Sequence, residues 1–171
     1  MNILNGVIIT KARLLVRRCG VSDPFHIAKE IGAEVYFTDL GLLKGMYACI
    51  KRNRFIVINN TLDPPTQKIV CAHELGHDQL HREMAKNRWL QEFMIYNMNE
   101  RPEYEANVFA AEILLPDDDI LALLDDGLDI EQVARVMDSD VNLVALKLAA
   151  LARQGYPIRQ GLEYKGNFLK E

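Results

Sequence analysis

Apolar residues change their spacing several times along this chain, and each change marks an element. Between Ile3 and Cys19, Val7, Ile8, Leu14, Leu15 and Val16 recur at helical intervals, and Gly20 follows as a stop. Asp23-Pro24 has the form of a cap followed by a first-turn proline, and Ile27, Ala28 and Ile31 give the stripe of a short helix that Gly32 closes. The period then falls to two. Ala33 to Phe37, Gly45 to Ile50 and Phe55 to Asn59 read as strands, rich in β-branched and aromatic residues. The last two pair as a hairpin across Lys51-Arg52-Asn53-Arg54, a basic turn read as a solvated tip.

Asp63-Pro64 repeats the cap-and-proline signal, and the helix it opens runs to about His81. Ile69, Val70, Ala72, Leu75, Gly76 and Leu80 make that helix apolar around most of its girth, as a buried helix requires. Gly76 within it costs about 1 kcal/mol relative to Ala, so it serves close approach of another backbone or of a substrate. Arg82 to Arg101 is polar, with Trp89, Phe93, Ile95 and Tyr96 irregularly spaced; the expectation is a short helix from Asn87 to Tyr96 and then a loop across the mouth of a site. Pro102 opens and Pro116 stops a helix over 103–115. Asp117-Asp118-Asp119 caps another, through Leu124. Residues 130–137 and 141–153, joined at Asp138-Ser139-Asp140, have helix-turn-helix spacing, and Gly155 to Glu171 reads as a loose tail.

These elements predict an α+β fold, mostly helical. A small three-stranded sheet packs on the helix over 64–81, and a helical hairpin follows at the C-terminus. The expected division is 1–125 for the main domain and 126–171 for the C-terminal helical part and tail.

Composition narrows the function classes. The 49% hydrophobic and 26% charged fractions are those of a globular chain. The net charge of -4 disfavours bulk attraction to nucleic acid. The candidate recognition helix, Val141 to Leu148, is apolar apart from Asn142 and Lys147, so the hairpin is expected to pack on the core rather than read DNA. Cys19, Cys49 and Cys71 are odd in number and lack paired spacing, which excludes a disulfide framework. Val7-Ile8-Ile9 is too short for a signal segment or a membrane span, and a cytoplasmic location is expected.

The chemistry concentrates at His73-Glu74-Leu75-Gly76-His77. Two histidines four apart share one helix face and can grip one metal ion, and Glu74 lies beside them to take a proton from water. That is the arrangement of a zinc-dependent peptidase. Two carboxylates compete to be the third ligand. Glu103 shares a face with Ala106, Asn107, Ala110 and Leu114, small enough for close helix approach, and Asn107 one turn on can hold a ligand histidine. Glu105 shares its face with Val108, Phe109 and Glu112. The face argument favours Glu103, with Glu105 the alternative. His81 lies about 12 Å of helical rise from His73, too far to join it on one ion, so it reads as a supporting residue. Tyr96, Tyr104 and Arg101 are the candidate oxyanion donors by nearness in sequence.

His73-Glu74-Leu75-Gly76-His77, with His81 behind it and then the run from Glu103 to Pro116, resembles the ImmA/IrrE family of metallopeptidases. The second block, of form E-x-x-A-N-x-F-A-A-x-x-L-x-P, is the more specific of the two. The resemblance runs from the strands near Tyr36 through the C-terminal hairpin. It implies a zinc peptidase of bacteria, phages or mobile elements, with His73, His77 and Glu103 as Zn2+ ligands and Glu74 as catalytic base. It implies a protein substrate too, a helix-turn-helix transcriptional repressor that the enzyme cleaves or inactivates. The alternative is a non-catalytic zinc-containing regulator that binds the repressor or DNA.

Overall fold

The computed structural model describes residues 3–86, 89–92 and 100–158. Its elements are α1 (Ile3–Cys19), α2 (Pro24–Glu30), β1 (Ala33–Thr38), β2 (Gly45–Ile50), β3 (Asn53–Asn59), α3 (Pro64–Leu80), β4 (Trp89–Glu92), α4 (Arg101–Leu114), α5 (Asp117–Asp125), α6 (Ile130–Val136) and α7 (Val141–Arg153). The fold is α+β and mostly helical.

Helix starts follow local chemistry. The side chains of Asp23, Asp63, Asp129 and Asp140 each accept a backbone N–H in the first turn of α2, α3, α6 and α7, and prolines stand in the first turn of α2 and α3. Gln132 returns the bond to Asp129, completing a capping box.

The sheet has four strands in the order β1-β3-β2-β4. β1 runs parallel to β3, whereas β2 is antiparallel to both β3 and β4. The fourth strand corrects an expectation. Trp89–Glu92, read above as part of a helix over 87–96, instead pairs with β2 from Trp89↔Ala48 to Glu92↔Gly45. The open edge of β2 supplies backbone partners that a short polar helix would lack, Leu90 packs against the core, and the Trp89 ring lies 6.4 Å from that of Phe55. Phe93, Ile95 and Tyr96 lie outside the described residues, as does the tail beyond Ile158.

The hairpin between β2 and β3 turns at Lys51 and Arg52, both in the left-handed region at φ 50° and 72°. Arg54 is not part of its solvated tip: its guanidinium turns inward to the Ile31 carbonyl and to Asp78.

One hydrophobic cluster runs through the molecule, from Ile8 and Leu15 of α1 through Ile56 and Ile58 of β3 to Val144, Leu148 and Leu151 of α7. α3 and α4 cross its centre, buried without a break over Ile69–Asp78 and Glu105–Ile113. No helix among the described residues is long and apolar enough to cross a membrane.

Candidate metal centre

Gly76 sets how closely α3 and α4 approach. A Cβ on it would stand 2.8 Å from Cα of Ala106, nearer than real Cβ atoms come to any atom, so only glycine permits this separation. At that spacing the side chains one turn to either side must meet across the interface.

They meet as a donor cluster. Nε2 of His73 and Nε2 of His77 lie 3.0 Å apart, and Glu103 Oε2 lies 3.2 Å from the first and 3.5 Å from the second. Both histidines are buried, and Glu103 keeps 19% of its side chain exposed, so among the described residues the cluster reaches solvent through Glu103. Ligands held about 2.0–2.1 Å from a tetrahedral zinc stand roughly 3.3 Å from one another. The three observed separations bracket that spacing, and two imidazoles with one carboxylate are a donor set that suits zinc. The residues therefore fit the metal.

The rings are oriented from behind. Nδ1 of His73 lies 2.9 Å from Asn107 Oδ1, and Nδ1 of His77 lies 3.0 Å from Nδ1 of His81. Burial brings the His77 pKa down to about 4, against the opposing pull of Glu103. At neutral pH His77 is thus uncharged, the state in which an imidazole offers a lone pair.

Glu105, the alternative third ligand, is directed elsewhere. Its Oε2 lies 3.1 Å from His81 Nε2, and its Oε1 accepts from Arg101 Nε at 2.6 Å. Burial pushes its carboxyl up, but the hydrogen bonds from Arg101 and His81 outweigh this and hold it below the ordinary carboxylate range. Among the oxyanion candidates, Arg101 is paired with Glu105, the Tyr104 hydroxyl accepts from Asn5 Nδ2 at 2.8 Å, and Tyr96 lies outside the described residues.

Glu74, next to His73 in α3, is buried against β2. Its carboxylate passes so close to Gly45 that a Cβ there would meet Oε1 at 2.7 Å and Val70 Cγ1 at 2.5 Å. The sequence reading missed this role for Gly45; a glycine opening a strand is the only signal, and it marks close approach without naming the neighbour. It also missed Asp78, whose buried carboxylate accepts from Tyr47 Oη at 2.8 Å and pairs with Arg54 at 3.3 Å and Arg82 at 3.1 Å. Burial, with Asp78 beside it, pushes the Tyr47 hydroxyl well up, so Tyr47 stays a donor. This network ties α3 to β2 and β3 immediately behind His77. Cys71 is wholly buried, and burial raises its thiol far above the reactive range.

Comparison with known proteins decides the family. The IrrE N-terminal-like domain of peptidase family M78 matches residues 28–149, well over half of the chain. The chain belongs to the ImmA/IrrE family. It is 38% identical over 104 residues to "Uncharacterized immunity region protein 2" of Bacillus phage phi105, a match over 60% of this chain and 65% of the phage protein. It is 26% identical over 111 residues to "Metallopeptidase ImmA" of Bacillus subtilis (strain 168), a match over 63% of this chain and 62% of that protein. In both cases the chain covers slightly less than two thirds of the relative's length. The family and the second relative's name support a metallopeptidase-type role, and the family implies a metal.

Proposed function

We propose that the protein is a zinc-dependent endopeptidase that inactivates a helix-turn-helix transcriptional repressor by cleaving it. The observation that carries this reading is the convergence of His73, His77 and Glu103 beside the buried carboxylate of Glu74. In it, His73 and His77 would hold the ion through Nε2, and Glu103 would add a third, carboxylate donor. Zinc held there would supply a Lewis acid that polarises the scissile carbonyl and acidifies water. Glu74 takes the proton of the attacking water and returns it to the leaving amine. Its burial against Gly45 of β2 holds the carboxylate in place for both transfers.

The phage immunity-region relative supports a repressor as the substrate, since immunity describes the repressed state of a phage, and such a target places the action in the cytoplasm. We assign catalysis to residues 1–125 and a supporting role to 126–171. Lys147, the one cation of the candidate recognition helix, is 1% exposed and paired with Glu112 and Asp117, so α7 offers DNA no positive face there.

The test is zinc content by mass spectrometry, alongside cleavage of helix-turn-helix repressors from the same host or element. Wild type should carry one zinc per chain. In excess zinc, His77→Ala and Glu103→Ala should lose it, Glu105→Ala should keep it, and Glu74→Gln should keep zinc while cleavage stops. Repressor inactivation that survives Glu74→Gln would replace the peptidase with a binding regulator.

A further inference from the structure

The support behind His77 does not end at His81. Nε2 of His77 faces His73 and Glu103, so on the ligand reading above that nitrogen keeps its lone pair and the ring proton sits on Nδ1. Among the described residues that N–H has one neighbour to donate to, Nδ1 of His81 at 3.0 Å. His81, having accepted at Nδ1, must carry its own proton on Nε2, which lies 3.1 Å from Glu105 Oε2. The other oxygen of Glu105 accepts from Arg101 at 2.6 Å. Each choice of proton position forces the next, and every polar atom on the path finds its complement. His81 and Glu105 are both buried, whereas 74% of the Arg101 side chain is exposed, so the path runs from the donor cluster to the surface.

His73 is treated differently. Its Nδ1 meets the neutral amide of Asn107, whereas His77 leans, through His81, on a carboxylate. A carboxylate at the end of a donor chain makes the imidazole at its head a stronger base and a stronger ligand.

We propose that His81 and Glu105 are positioning residues that act as one unit, holding His77 in its metal-binding tautomer and raising the affinity of the centre without touching the ion. The proposal rests on His77 being a ligand. It gives a purpose to the histidine that extends the series 73, 77, 81, and to the carboxylate two residues from Glu103.

The experiment combines zinc and cobalt(II) titrations with ¹⁵N-histidine NMR of the metal-free full chain at neutral pH. His81→Phe and Glu105→Leu should each weaken metal binding by about 10–100-fold. Each should change His77 from a single Nδ1–H tautomer to a mixture, while the His73 signals stay as they are. Combining the two substitutions should cost little more than either alone, because the chain is broken once. Glu105→Gln keeps the shape and an acceptor for His81 but removes the charge, so it should hold the tautomer and fall between wild type and Glu105→Leu in affinity, whereas a packing role would leave its affinity at the wild-type level. Should His81→Phe fail to fold, the Glu105→Gln and Glu105→Leu pair carries the test. Unchanged affinity and an unchanged His77 tautomer in Glu105→Leu would overturn the proposal. Wild type that binds neither metal would overturn the ligand reading instead, and the tautomer readout would still decide the donor chain.

Discussion

α4 carries two buried polar clusters, and they are built on opposite principles. Toward its start, Glu103 and Asn107 face α3 and join His73 and His77, so that lone pairs converge on one point. Toward its end, Glu112 faces α1 and α7, where Arg13 and Lys147 bracket it and Asp117 at 2.5–3.1 Å. Two cations meet two anions there, and the chain supplies both signs. The first cluster holds two imidazoles and a carboxylate, and the positive charge that suits them is a ligand's. A buried cluster that is complete in itself serves the fold, and one that gathers acceptors serves something that binds.

The largest test of this contrast is Lys147→Met. It leaves Glu112 and Asp117 sharing Arg13 alone in a buried site, and a loss of about 3–5 kcal/mol is expected. The denaturant midpoint reports it, and zinc content should stay the same. Metal supplies the next effect. At a free zinc concentration a thousandfold above its dissociation constant, wild type should gain about 4 kcal/mol over chelator-treated protein. His77→Ala and Glu103→Ala should lose that increment in thermal melts, and Lys147→Met should retain it. Coupling between the two, with Lys147→Met abolishing the zinc increment, would break the comparison.

Gly76→Ala comes third. The added methyl has no room against Ala106, and overpacking of this kind costs about 1–3 kcal/mol. Because it parts α3 from α4 at the donor cluster, it should weaken metal binding as well, which isothermal titration would detect. The smallest effect belongs to an exposed carboxylate that calibrates both clusters. Asp63 caps α3, and its hydrogen bonds from the Thr66 backbone and hydroxyl lower its pKa below 3.8. Its folded value lies beneath its unfolded one, so the cap's contribution is complete above pH 3.8 and fades as pH falls through the folded value. Asp63→Ala should cost about 1 kcal/mol at neutral pH, with the gap from wild type closing in acid.

Most of the fold was legible because its signals are local. The Asp-Pro starts of α2 and α3, the apolar runs of β2 and β3 and the proline that stops α4 each act within a few residues. β4 was not legible: a four-residue strand draws its reason from the edge of β2, more than forty positions away. The same divide runs through the site. His73, His77 and Glu74 announce themselves by spacing, and Asn107 follows Glu103 by one turn, so its partnership with His73 could be read from the helix face. Gly45 and the Asp78 network could not, since β2 and β3 reach α3 only through the tertiary packing that places Val70, Glu74 and Tyr47 together.

Glu103 differs from the two histidines in where it sits along its helix. His73 and His77 belong to the buried middle of α3, but Glu103 lies in the first turn of α4, whose starting residue Glu100 makes no side-chain cap. Uncapped first turns open far more readily than helix centres. On the proposed ligand set, fraying of that turn would carry Glu103 away from His73 and His77, so metal exchange would follow the opening of a single helical turn. Strengthening the start of α4 with Glu100→Ser would slow metal exchange and leave the donor atoms unaltered.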